Sequence, residues 1–216
     1  LNRQPRHIEC FDNSNLQGTN PTSACVVFRN GKPSKRDYRN FNIKTVKGPD
    51  DFASMKEAVY RRYDRLYKES GEDGLPQLII IDGGKGQVSH AMEAVEELNL
   101  RGKIAVVGIA KRLEELFFPG DSLPIYLDKR SPTLKVIQNM RNEAHRFSLT
   151  HHRKKRSISS TASVLDNIPG VGEATKKKLL IEFGSVAKIQ KANLEDLKII
   201  CNSGVSQQII SFFKEN

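Results

Sequence analysis

The segment "QLIIIDGGKGQ", residues 77 to 87, contains four apolar residues that lead directly into an aspartate and a glycine-rich turn. An apolar run of this length that ends at a turn is typical of a buried strand, and residues 86 to 98 after it have the pattern of a helix. A strand, a tight turn and a helix in this order predict an α/β domain. Asp82 then stands at the carboxyl end of a strand, where such domains place their functional groups.

The glycine-rich turn does not have the spacing of a nucleotide-binding loop. The Walker motif requires a hydroxyl residue after its lysine, but Gly86 follows Lys85, and the spacing GxGxxG is not met either. Two interpretations of Asp82 follow. Either its carboxylate is functional and the glycines keep the backbone thin enough for a bulky substrate, or it caps the next helix and the glycines only form the turn.

A second aspartate ends a similar apolar segment, "HIECFD", residues 7 to 12. If the two strands are parallel neighbours, the carboxylates of Asp12 and Asp82 meet at one point, which is costly unless a cation lies between them. Hard oxygen ligands favour Mg²⁺ or Mn²⁺, and a divalent metal at such a site suits phosphodiester hydrolysis. A third candidate is His145 in "NEAHRF", although a lone histidine on a helix is more often structural than catalytic, and the residues alone do not decide between the two roles.

The other segments of the first part complete a mixed sheet with flanking helices. A hairpin over residues 23 to 43 is indicated by the dipeptide Asn30-Gly31, the strongest short-range hairpin signal in the chain. The remaining predicted elements are a helix over 51 to 70 capped by Asp50 or Asp51, a buried strand over 104 to 110, a second hairpin over 117 to 127, and a helix from Pro132 to about Thr150.

The C-terminal part has a different composition. Residues 153 to 163 are basic and rich in Ser and Thr, which favours a linker between an α/β domain over residues 1 to 152 and an all-α domain over residues 164 to 216. The helical domain is interrupted at 169 to 172 and again at 202 to 205, in similar surroundings. We interpret it as a weak internal repeat of two helix-turn-helix units.

The charge of the chain favours a polyanionic partner such as nucleic acid. The formal net charge is +10, and the first 156 residues carry 28 Lys and Arg against 19 Asp and Glu. The three scattered cysteines argue against a disulfide framework or a zinc site and fit a reducing cytoplasm. A membrane protein is not expected, because the sequence lacks an apolar run of about 20 residues. The first residue is Leu1 and not Met, which suggests an excised fragment.

Five segments along the chain together resemble the C-terminal half of the UvrC family, the endonuclease subunit of the bacterial UvrABC excision-repair system. They are "IECFDNSN", "GPDDFASM", "IIIDGGKGQ", "LFFPG" and "NEAHRF", in this order. The resemblance covers nearly the whole chain. It implies an RNase H-like mixed sheet with flanking helices, followed by a small all-α tandem helix-hairpin-helix domain that binds DNA. It also implies a cytoplasmic DNA-repair enzyme that acts on damaged double-stranded DNA together with UvrB.

The resemblance assigns roles to four residues. Asp12, Asp82 and His145 match a catalytic set that binds a divalent metal and makes the incision on the 5′ side of a lesion. His145 removes negative charge from the site, so one metal ion suits it better than two, and a neutral imidazole can be a ligand or a proton acceptor. Asp51 matches a further acidic position implicated in that incision, although it also stands where a helix cap is expected. The loop "FDNSN" departs from the "FDISH" of many relatives, which affects only the surroundings of Asp12.

Several basic and hairpin residues are predicted to contact DNA, although each basic side chain also fits a solvated surface charge. In the first domain they are Lys85, Arg61, Arg62, Lys111 and Arg112. In the second domain, a hairpin exposes backbone N–H groups to a phosphate and the next helix adds charge, through Gly170, Val171, Gly172, Lys176 and Lys177. The second hairpin, at 202 to 205, is degenerate, and the helical domain also fits a structural or protein-binding role.

The leading hypothesis is a metal-dependent DNA endonuclease without the family's GIY-YIG nuclease, which makes the 3′ incision, and without its main UvrB-binding segment. One alternative is a non-catalytic DNA-binding module on an RNase H-like scaffold, which predicts that the side chains of Asp12, Asp82 and His145 diverge. Another RNase H-like nuclease, such as a junction resolvase, is the third hypothesis.

Overall fold

The computed structural model describes residues 4–16, 19–46, 48–110 and 114–215. The chain divides into two compact units, Leu1–His151 and His152–Asn216. None of the helices in these ranges combines the length and the apolar composition that a membrane crossing requires.

The first unit is built on a mixed sheet, as the sequence predicts. Its strands are β1 (His7–Leu16), β2 (Thr19–Arg29), β3 (Lys32–Pro33), β4 (Arg39–Asn42), β5 (Leu78–Asp82), β6 (Ala105–Ala110) and β7 (Glu115–Phe117). The order across the sheet is β3-β2-β1-β5-β6-β7, and β4 also pairs with β2. Strands β1, β5 and β6 are parallel, whereas β2 and β7 run antiparallel to their neighbours. Asn30 and Gly31 form the predicted two-residue turn between β2 and β3, with positive φ angles of 51° and 77°.

The helices of this unit cover both faces of the sheet. They are α1 (Asp51–Ser70), α2 (Lys85–Glu97) and the first part of α3 (Pro132–Asp166). Successive residues of β1 point to opposite faces of the sheet, so Glu9 and Asp12 lie on different faces. Glu9 bonds to Arg62 of α1, and Asp12 contacts His145 of α3, so α1 and α3 cover opposite faces. The central strand β5 is buried between these layers, with Ile79, Ile80 and Ile81 fully inaccessible.

Two predicted boundaries are corrected by the structure. Strand β1 continues to Leu16, so Asp12 ends only the part of β1 that pairs with β5. Helix α3 continues to Asp166 instead of ending near Thr150, and residues 153 to 163, predicted as a linker, are helical. The physical reason is that residues 133 to 168 contain neither Gly nor Pro, so no residue in this stretch forces the helix to end.

The second unit packs short helices around its own apolar core. After α3 come α4 (Glu173–Phe183), α5 (Val186–Lys191), α6 (Leu194–Lys198) and α7 (Ser203–Glu215). Their core includes Leu165, Ile168, Leu179, Leu197 and Ile209. The first predicted interruption, residues 169 to 172, separates α3 from α4. The second is shorter than predicted, because α7 begins at Ser203 and the side chain of Asn202 caps it by accepting from the Val205 N–H at 2.9 Å.

Candidate active site

The register of the central strands brings the two predicted aspartates together. Strands β1 and β5 pair in parallel, and Asp12 lies directly opposite Asp82. Residues that are direct neighbours in a parallel pair point to the same face, so both carboxylates lie on the face that α3 covers. Asp82 is also the last residue of β5, at the carboxyl edge of the sheet where α/β folds bind their ligands.

Helix α3 adds the third predicted residue to this pair. The Nδ1 atom of His145 lies 3.4 Å from Oδ2 of Asp12. One ligand atom from each of Asp12, Asp82 and His145 can be chosen so that all three lie within 4.8 Å of one another. The divergence expected of a non-catalytic scaffold is therefore not observed, and the three side chains can share one cation.

The electrostatics of the pair favour a bound cation. Asp12 is only 5% exposed, and burial, together with repulsion from Asp82, raises its pKa to about 6, although His145 acts in the opposite direction. The protein therefore holds two carboxylates at an energetic cost that a divalent ion removes. Two carboxylate oxygens and an imidazole nitrogen suit a metal such as Mn²⁺ or Mg²⁺, so the residues present fit the metal that the resemblance implies.

The raised pKa of Asp12 predicts a pH-dependent affinity for metal. Asp12 must lose its proton before it can bind a cation, so affinity for Mn²⁺ is expected to rise about tenfold between pH 5 and pH 7, as pH passes the pKa near 6. An aspartate with the ordinary pKa near 3.9 would give almost no change over this range. Isothermal titration calorimetry with Mn²⁺ measures the effect.

The matched control for this titration is the His145→Gln variant, in which the site contains no imidazole. The pH dependence should persist there, because Asp12 is still present. An affinity that is flat between pH 5 and pH 7 in both proteins contradicts the role given to Asp12.

The interpretation of Asp82 as a helix cap is wrong. Gly84 occupies the capping position of α2, and its N–H donates to the side chain of Gln87 at 2.9 Å. The three glycines of this turn differ in the space around them. A Cβ on Gly83 would collide with Gln87 and a Cβ on Gly86 would lie 2.5 Å from the ring of Phe52, whereas Gly84 faces open space. The expected clearance for a substrate therefore applies to Gly84, and close packing explains the other two.

Asp51 does not join the three clustered side chains. Among the described residues, the group that can share a metal consists of Asp12, Asp82 and His145. Asp50 rather than Asp51 caps α1. Its carboxylate accepts hydrogen bonds from the backbone N–H groups two and three residues further along the chain, at 3.0 and 2.9 Å. The backbone carbonyl of Asp51 accepts a hydrogen bond from Asn13 at 2.8 Å, which ties the start of α1 to β1.

The basic residues predicted to face DNA are divided by the structure. Arg62 is buried and bonds to Glu9, so its placement on a DNA-facing surface is wrong. Arg61 bonds to Glu57 and to the carbonyl of Asn42, and its guanidinium lies over the ring of Phe41. Lys85 is exposed at the first position of α2, next to the site. Lys111 and Arg112 lie outside the described residues.

The predicted DNA contacts of the second unit are divided in the same way. Lys176 is 7% exposed and pairs with Asp166 at 2.6 Å and with Glu173 at 2.5 Å, so the prediction that it faces DNA is wrong. Lys177 is exposed. In the hairpin, Gly170 has a φ of 83° and Gly172 caps α4, and both are exposed, whereas Val171 is buried.

Sequence reasoning missed a buried polar cluster around Glu9. Both carboxylate oxygens of this fully buried residue accept hydrogen bonds, from Arg62 at 3.0 and 2.6 Å, from the Tyr63 hydroxyl at 3.0 Å and from His7 at 3.1 Å. Burial alone raises the pKa of Glu9, but the hydrogen bonds from His7 and Arg62 outweigh it and lower the pKa to about 2. A glutamate inside the apolar segment "HIECF" was the available signal.

Comparisons with known proteins place the first unit in a family. The profile of the UvrC RNAse H endonuclease domain matches residues 1–149. The UvrABC system protein C of Flavobacterium johnsoniae is 60% identical over 213 residues, which are 99% of this chain and 35% of that protein. The same protein from Christiangramia forsetii is 61% identical over 213 residues, with the same coverage. The chain thus spans about a third of the length of these relatives.

Among solved structures, that of human ENDOV is 12% identical to this chain. It superimposes with a TM-score of 0.44 and covers 70% of this chain and 86% of its own.

Proposed function

The chain belongs to the UvrC RNAse H endonuclease domain family, and from this premise we propose that it hydrolyses a DNA phosphodiester bond with a divalent metal held by Asp12, Asp82 and His145. The observation that carries the proposal is the convergence of these three side chains, from two neighbouring strands and one helix, within 4.8 Å. A site that costs free energy without a ligand, as the raised pKa of Asp12 indicates, has a purpose beyond stability.

Each protein group has a distinct task in this proposal. A bound divalent ion supplies charge neutralisation on the phosphoryl oxygens and a more acidic water. Asp82, at the strand end and less buried than Asp12, would hold the cation together with Asp12. His145 is 41% exposed at its side chain and faces Asp12, which suits either a third ligand or an acceptor for the proton of the attacking water.

The residues beneath and beside the site keep it in one geometry. Ser148, one turn after His145, hydrogen-bonds to Asp12 and, at 2.7 Å, to Ser14 of β1. Cys10 lies on the same strand, and burial followed by the charges of Asp82 and Asp12 raises its pKa well above the ordinary value. The thiol therefore stays protonated, and the negative charge of the site comes from the two carboxylates.

We propose that a longer protein of the length of these relatives, with this chain as its part, makes the 5′ incision of bacterial nucleotide excision repair. Its substrate is then damaged double-stranded DNA, its partner is UvrB and its location is the cytoplasm. The 3′ incision and the main contact with UvrB are assigned to parts of the family's chain that these 216 residues do not match.

We also propose that residues 164 to 216 are a helix-hairpin-helix domain that binds the DNA backbone. Support comes from the turn at Gly170–Gly172, with backbone groups at the start of α4, and from the exposed Lys177 one turn further on. Such contacts position a protein without reading sequence. The α/β domain then covers residues 1 to 152.

The proposal is tested by a nicking assay on a lesion-containing duplex that already carries a nick on the 3′ side, with UvrB present. We expect one new nick on the 5′ side that depends on Mg²⁺ or Mn²⁺ and is absent in EDTA. Metal-independent binding of the duplex without any nick, at any metal concentration, supports the non-catalytic DNA-binding module instead. Cleavage of four-way junctions in preference to the lesion duplex supports a junction resolvase.

A further inference from the structure

A solvent-exposed aromatic ring stands at the start of α1. Phe52, the second residue of this helix, is 46% exposed. Its ring stacks on the imidazole of His90 in α2, with centroids 5.3 Å apart and an angle of 18° between the planes. We call this pair of rings the Phe52–His90 platform.

The platform is held rigidly on its inner side. Nδ1 of His90 lies 2.9 Å from the carbonyl oxygen of Gly86, and because a carbonyl only accepts, this nitrogen carries the proton and fixes the imidazole. The ring of Phe52 also covers Gly86 so closely that a Cβ there would lie 2.5 Å from it. The backbone N–H of Phe52 is bound by Asp50. The exposed ring therefore needs no ordering before it receives a partner.

Two connections place the platform beside the candidate active site. Gly86 lies in the first turn of α2, which follows Asp82 directly through Gly83 and Gly84. On the other strand, Asn13, the residue after Asp12, donates to the carbonyl of Asp51, the residue before Phe52. The platform thus stands at the carboxyl edge of the sheet on the α1 side, whereas His145 approaches the same edge from α3.

The surroundings of the platform suit nucleic acid. Lys85 is exposed in the same first turn of α2 that the ring of Phe52 covers, so a cation for a phosphate lies next to a flat apolar surface for a base. A ring over which a base can stack, with basic groups beside it, is the usual arrangement for single-stranded nucleic acid. Single exposed apolar residues are common, but this one is held in place, aromatic and at the same edge of the sheet as Asp12 and Asp82.

We propose that Phe52 stacks on an unpaired base of the DNA strand that is cut, next to the incised phosphate. This inference rests on the proposed function and adds to it a substrate requirement. A paired duplex hides the faces of its bases, so the platform implies that the strand is locally unpaired where it enters the site. Stacking is tolerant of sequence, so any of the four bases is expected to serve.

The test uses the 216-residue chain in EDTA, so that binding is measured without cleavage, and a single-stranded oligonucleotide with one 2-aminopurine. Stacking quenches this fluorophore. We expect Phe52→Ala to raise Kd about tenfold, the range that loss of one aromatic–base stack gives, and to abolish the quenching. Phe52→Tyr is expected to keep both. A fully paired duplex with closed ends should show little difference between the variants.

Tyr67→Ala is the matched control, because Tyr67 is 44% exposed on the same helix but about four turns from Phe52. It should change Kd less than twofold. If Phe52→Ala shifts the thermal unfolding of the chain, Phe52→Leu, which still covers Gly86 but cannot stack, decides instead. Unchanged Kd and quenching in the decisive variant overturn the proposal.

The proposed function and this inference can fail separately. If the quenching of 2-aminopurine depends on Phe52 but the wild-type protein never nicks the lesion duplex, base stacking on the platform is supported and the nuclease function is rejected. If metal-dependent nicking is lost in Asp82→Asn but quenching is the same with and without the ring of Phe52, the nuclease function is supported and base stacking on the platform is rejected.

Discussion

The Asp82→Asn variant is expected to nick the lesion duplex about 10³-fold more slowly than the wild-type chain. The substitution keeps the shape of the side chain and removes one of the two negative charges that hold the cation. A metal-bound charge contributes several kcal/mol to the transition state, and about 4 kcal/mol corresponds to this factor at about 1.4 kcal/mol per tenfold change in rate. Single-turnover nicking at saturating Mg²⁺ measures the rate constant.

A matched control makes the same chemical change away from the site. Asp73→Asn alters an exposed aspartate before the opposite end of β5, and its rate should equal that of the wild type. Circular dichroism of both variants verifies the fold. Wild-type nicking by Asp82→Asn would remove Asp82, and with it the proposed metal site, from the mechanism.

The candidate site was predictable because its two aspartates follow from local sequence. A buried apolar run that ends in an acidic residue indicates a functional strand end, and two such runs, before residues 12 and 82, suggest one shared site. The register that sets Asp12 opposite Asp82 is not encoded locally. It results from the buried pattern of β1 and β5 as a whole, and the contact of His145 depends on where α3 crosses the sheet.

The errors concern charges whose partners are distant in sequence. The sequence predicts Arg62 on the surface, because a charged residue in a helix is usually solvated, but Glu9, 53 residues earlier, binds it inside the protein. Lys176 has one partner three residues before it and another, Asp166, ten residues before it, across the turn that precedes α4. The composition of a basic segment therefore overestimates the charge available to DNA when buried pairs are present.

Replacing Glu9 by Ala is expected to destabilise the first unit by about 3–5 kcal/mol. The substitution leaves the guanidinium of Arg62, which is 8% exposed, as a buried charge without its carboxylate partner. Losses of this size are a large part of the 5–15 kcal/mol that typical domains possess. All five tyrosines lie in residues 38 to 126, so urea unfolding followed by tyrosine fluorescence reports on this unit alone.

Two further variants test whether the cost comes from the unpaired charge. Glu69→Ala breaks the exposed Arg65–Glu69 pair, whose N–O distance is 2.7 Å, and should cost less than about 0.5 kcal/mol. The double variant Glu9→Leu, Arg62→Met removes both buried charges and should recover at least about half of the loss. A double variant as unstable as Glu9→Ala contradicts the explanation, because packing and not charge would then set the cost.

The same pair gives the stability of this unit a pH dependence of known sign. The pKa of Glu9 is lowered from 4.5 to about 2, so its contribution, about 3 kcal/mol, is complete above pH 4.5 and is lost as pH falls towards 2. Asp12 acts in the opposite direction. Its pKa is raised to about 6, so the metal-free protein loses stability as pH rises from about 4 to 6. Saturating Mn²⁺ should remove the loss due to Asp12 and leave that due to Glu9, which separates the metal-binding carboxylate from the structural one on a single strand.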